Sequence, residues 1–149
     1  MKNVKFLLSA ALVFLASAAL AQDFSAPQYA KWGATPEERE QNILNSNFLK
    51  ESCDNRDYDA AAHYLKGLID KIPDAAESIY QRGAVVYKNK INRAKSVAEK
   101  NMFIDSLMLM YDMRAQYFGD NVKPGKTAFI LDQKAREFLR YKPNARQGI

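Results

Sequence analysis

The sequence predicts an all-α protein, built of antiparallel helix pairs stacked as a short solenoid of about five helices. Three observations predict it. Apolar residues recur at three- and four-residue spacing in successive segments. Residues that start or stop helices, Thr35-Pro36, Pro73, Gly119 and Pro143, separate those segments. Small residues, Ala61 and Gly83, stand where helix axes would have to approach closely.

Residues 1–21 differ in kind from the rest of the chain. Lys2 and Lys5 precede an apolar run from Phe6 to Leu15, and Ala19-Leu20-Ala21 closes it. This pattern is a secretory signal peptide, with cleavage expected before Gln22. The apolar run is too short to span a bilayer, which takes about 20 residues. A lipoprotein needs a cysteine at the cleavage point, whereas Cys53 is the only cysteine. The expected product is a soluble exported protein, not a lipoprotein, with the bacterial periplasm as its compartment. A lone cysteine cannot close an intramolecular bridge, so the fold must stand on packing, and Cys53 reads as a small helix residue and not a nucleophile. Without the leader, 128 of the 149 residues remain, enough for one domain with a modest core. Loss of Lys2 and Lys5 lowers the net charge from +5 to +3, a balance that calls for no nucleic acid partner.

The remaining chain divides into an extended segment over 22–34, helical pairs over 35–118, and a further helix in 119–149. Pro27 and Gly33 interrupt the first segment, whose Tyr29 and Trp32 are expected to latch onto the first helix. Thr35-Pro36-Glu37-Glu38 carries a capping residue, a first-turn proline and a capping-box glutamate, and starts a helix that runs to about Asp54 with Ile43, Leu44, Phe48 and Leu49 as its apolar members. Asp54-Asn55-Arg56-Asp57 is a polar turn. The second helix covers roughly Tyr58 to Ile72 and stops at Pro73. The third runs from about Ala75 to Lys88, followed by a basic connector through Lys95. The fourth extends from about Ala94 to Phe118 on two adjacent apolar stripes, Phe103/Leu107/Met110 and Ile104/Met108/Tyr111/Phe118, with Arg93 to Met102 expected to project beyond the stack. The fifth covers about Thr127 to Tyr141, with Phe129, Ile130, Ala135, Phe138, Leu139 and Tyr141 as apolar members. It has no sixth helix to pair with, as at the start of a truncated repeat or at a docking face.

Around the second helix the register is specific. Tyr58 precedes Ala61, Leu65 follows four residues later, Leu68 three beyond that and Pro73 five further on, and Gly83 falls ten after the proline. This order resembles the joint between tetratricopeptide repeats, helix-turn-helix units with a period of about 34 residues. The resemblance implies that Tyr58, Ala61, Leu65, Leu68, Pro73 and Gly83 pack repeat on repeat, with Gly83 in close contact with the second helix. Leu49 stands where the family has a small residue, which implies a splayed or shifted first helix. The family lines a concave groove with the first helix of each repeat. By register that implies Glu77, Tyr80, Ala84, Tyr87 and Lys88 on the third helix, and Ser46, Lys50 and Asp54 on the first, as a surface for another protein.

Catalytic readings fare worse. Gly119 to Thr127, GDNVKPGKT, ends like a phosphate-binding loop, but its glycines are six apart where the loop needs five, and a helix precedes it where a strand is required. Met102, Met108, Met110 and Met113 read as core filler, not a copper site. His63 is the only histidine and has no partner ligand in spacing. Glu37, Glu38 and Glu40 suit a helix N-terminus. The expectation is therefore a non-enzymatic scaffold without cofactor or metal, mediating protein–protein interaction or assembly in the cell envelope and having no integral membrane segment after cleavage. The alternatives are a glycan-capture accessory protein of the outer membrane and the N-terminal piece of a longer protein with a downstream domain.

Overall fold

The computed structural model describes residues 22–144. The signal-peptide expectation over 1–21 lies outside the described residues. Within them the chain is all helical: a 3-10 turn over Pro27–Trp32, then α1 (Pro36–Asp54), α2 (Tyr58–Lys71), α3 (Glu77–Arg93), α4 (Val97–Phe118) and α5 (Lys126–Tyr141). Helices adjacent in sequence pack against each other, the α3/α4 pair most extensively, and α1 also touches α3.

Local chemistry sets each boundary. The Thr35 hydroxyl accepts from the Glu38 N–H while the Glu38 carboxylate takes the Thr35 N–H, a complete capping box with Pro36 in the first turn. Asp57 caps α2 through the Ala60 N–H and Ser96 caps α4 through the Glu99 N–H. Gly119 ends α4 where only glycine fits, since a Cβ there would lie 2.3 Å from both the Ala115 carbonyl oxygen and Thr127 Oγ1. Reciprocal 2.9 Å hydrogen bonds between Asp120 and Thr127 then lock the turn into α5. The string GDNVKPGKT is thus a helix–helix turn.

The structure corrects three expected boundaries. The segment over 22–34 is not extended throughout: it coils into the 3-10 turn, and the Trp32 carbonyl accepts from buried Asn42 at 2.8 Å, while Arg39 donates to the carbonyls of Gly33 and Phe24. The basic connector after Lys88 is helical and extends α3 to Arg93, because Ile91 is an apolar contact that continues the stripe. α4 accordingly starts at Val97 and not at Ala94, with Val97 and Met102 of its first turns exposed.

The apolar interior forms two clusters. One gathers Leu49, Tyr58, Ala61, Leu65, Leu68, Ile79, Tyr80, Val86 and Met110. The other gathers Ala84, Ile91, Ile104, Leu107, Met108, Tyr111 and Ile130. Tyr87, half-buried, borders both. Leu49, at the position where a small residue was expected, is wholly buried in the first cluster together with Ala61. Pro73 is half-buried at the end of α2. Gly83 is buried between α2 and α4, but its close neighbours are side chains: a Cβ would meet Met110 Sδ at 2.6 Å and Leu65 Cδ1 at 3.2 Å. The thioether of α4 thus occupies the space expected for a neighbouring backbone.

Candidate functional site

The residues expected to line a groove are dispersed. Lys50 is exposed on α1 and paired with Asp54 at 2.7 Å. Ser46 is buried. Tyr80 is 1% exposed, donates its hydroxyl to the Pro73 carbonyl at 2.7 Å and stacks on Tyr117 at 6.3 Å. Burial, reinforced by the neighbouring Tyr117, pushes its phenol well above the ordinary tyrosine range. Ala84 is buried in the second cluster alongside Ile130 of α5. Tyr80 and Ala84 therefore leave the groove assignment and become packing residues. Their helical spacing is correct, but it placed them on the face that α4 and α5 cover. Tyr87 is half-buried, its ring 6.5 Å from Phe103.

Glu77 and Lys88 are half-buried, and both reach α5. Glu77 accepts from Arg114 Nε at 2.9 Å and from Lys126 Nζ at 2.6 Å, and Arg114 also donates to Gln133 at 2.9 Å. Burial opposes ionisation of Glu77, but the hydrogen bonds from Lys126 and Arg114 outweigh it and hold the carboxyl below its ordinary range. Lys88 pairs with Glu137 at 2.7 Å. The Cα traces of α3 and α5 nowhere come within 8 Å of each other. Long charged side chains thus bridge a seam that the backbones leave open.

What does present itself to solvent is α5. Ile130 is its one fully buried residue, and Lys126, Gln133, Lys134 and Glu137 flank it towards α3 and α4. Rotated away from that seat, Leu131 (43% exposed), Ala135 and Phe138 (37%) form an apolar stripe along the helix. With Met108 of α4 and the stem of Lys134 they line an open cleft of about 390 Å³. Lys134 is tied across it to Asp112 at 2.5 Å. Arg136 and Arg140, 79% and 68% exposed, lie on the far side of α5 from this stripe, where with Leu139 and Pro143 they line a separate hollow and pair with Asp132 and Glu137 of their own helix. The sequence carried a signal for this surface, namely more apolar positions on the fifth helix than one partner helix can bury.

Elsewhere the chemistry is sparse. Burial pushes the half-buried Cys53 thiol up, away from a reactive thiolate. His63 is exposed, edge-on to Tyr64. Among the described residues no cluster of three histidine, cysteine or acidic side chains could hold a metal, and no helix is long and apolar enough to cross a membrane. Comparison with family models, with curated proteins and with solved structures finds no match to this chain.

Proposed function

We propose that the protein is an exported, tetratricopeptide-like scaffold that mediates protein–protein interaction or assembly in the bacterial cell envelope, and that its docking surface is the cleft between α4 and α5. The open apolar stripe Leu131/Ala135/Phe138 over Met108 carries this reading. The occupant is an amphipathic helix of a partner protein. α2 lies on α1 and α4 on α3 by their apolar faces, and the α4/α5 cleft offers a further apolar face of helical length that the described residues leave open. The resemblance of Tyr58 to Gly83 to a repeat joint supports the scaffold class, since such repeats stack on their neighbours and present surfaces to other proteins. The leader over 1–21 supports export.

The test uses a synthetic amphipathic helix about five turns long, with leucines on one face, beside a counterpart of the same composition whose leucines are scattered around the helix. Saturable binding of the amphipathic helix, weak binding of the scattered one, and loss of binding in Leu131→Glu and Phe138→Glu are the expected results. Both substitutions sit at exposed positions, so unfolding free energies should move by no more than about 0.5 kcal/mol. Equal binding by the variants, or self-association of the protein through this face in light scattering, overturns the reading.

A further inference from the structure

The turn from α3 to α4 holds a second concentration of side chains, which shares no residue with the α4/α5 cleft. A cavity of about 230 Å³ opens there among the first turn of α2, the last turn of α3 and the start of α4. Two of its cations are held over aromatic rings: the Arg93 guanidinium lies 5.0 Å from the Tyr58 ring centre, and the Lys90 ammonium 5.2 Å from that of Phe103. Such stacking leaves the donor edge of a guanidinium free while fixing its plane.

Two carboxylates share the cavity, and both are engaged. Asp59 is paired with Lys90. Glu99 accepts the Lys95 backbone N–H at 2.7 Å. Among the described residues no carboxylate lies within 4.0 Å of the Arg93 guanidinium or the Lys95 ammonium. The Asp59 side chain is 90% exposed, so it can leave Lys90 for water with little loss of packing. The hydrogen bond from Lys90, aided by the charge of Arg93, keeps the Asp59 carboxyl below its ordinary range, a sign of positive potential in the cavity.

The geometry points to a binding site for a small oxyanion, a phosphate or carboxylate group borne by a small molecule, with Arg93 and Lys95 as donors and Lys90 joining as Asp59 swings out. The planar fork of Arg93 matches two oxygens of such a group, and Lys95 supplies a rotatable point charge. The dipole at the start of α4 adds to the attraction. Asp59 then acts as an internal competitor for Lys90.

Nitrogen-labelled protein, titrated at low ionic strength with sodium phosphate and separately with sodium acetate, tests this through the backbone amides of residues 90–99. Saturable shifts confined to that turn are expected, with the dissociation constant raised about tenfold in Arg93→Ala and in Lys95→Gln, as loss of one charge-assisted hydrogen bond implies. Lys95→Gln contacts no ring, so its effect is independent of the packing of Tyr58. Asp59→Asn should bind more tightly. Tighter binding of phosphate assigns a phosphoryl ligand, and tighter binding of acetate a carboxylate. Absent shifts, shifts spread over the whole surface, affinity unchanged in both cation variants, or weaker binding by Asp59→Asn overturns the site.

Discussion

Two glycines within helices show how far a single position depends on its neighbours. Glycine inside a helix costs about 1 kcal/mol relative to alanine. At Gly67 a Cβ would find open space, so Gly67→Ala should recover about that amount. At Gly83 the same Cβ would press on Met110 Sδ and Leu65 Cδ1, and overpacking of about 1–3 kcal/mol cancels or exceeds the propensity gain. Urea unfolding of the two variants should therefore give shifts of opposite sign, or none at Gly83. Matching stabilisation at both would mean that Met110 does not fill the space beside Gly83. The sequence made Gly83 a contact position without revealing what touched it. Met110 lies 27 positions further along the chain, on a helix whose rotation the spacing alone does not set.

At the level of elements, α5 is attached differently from the rest. It seats one buried isoleucine on α4 and is tied to α3 through Glu77–Lys126 and Lys88–Glu137. Glu77 has a folded-state pKa below its unfolded value, so it contributes stability above the ordinary glutamate range and loses it as pH falls through that range to the depressed value. Wild-type protein should thus lose unfolding free energy on acidification more steeply than Glu77→Gln, whose amide does not titrate. Parallel pH profiles would show that the Arg114 and Lys126 contacts carry no net energy. Helix starts were the most legible features, because a cap is chemistry local to four residues: Thr35 and Glu38 identify α1 unaided. The end of α3 was not legible, since Tyr87 to Arg93 contains no glycine or proline and its many lysines and asparagines suggested a linker. Ile91 decides the matter through a contact with α4. The groove failed for a related reason: a period of 3.6 identifies a stripe, but not which of two neighbouring helices will cover it.

Across the whole molecule, the all-helical class followed from periodicity because the contacts that build the fold join helices adjacent in sequence, with α1 on α3 as the longer-range addition. The surfaces that remain open, the α4/α5 cleft and the cavity at the α3/α4 turn, depend on relative rotation and were the least accessible to inspection of the chain. Tyr87 has a consequence at this scale. Its ring borders both apolar clusters, and the clusters share no other flanking residue among those described. It therefore couples the two clusters side chain to side chain, beside the backbones of α3 and α4, which contribute to both. Tyr87→Ser should split a single calorimetric peak into two, one for each cluster, whereas a single narrowed or merely shifted peak would mean that the halves communicate through the continuous backbone of α3 and α4 instead.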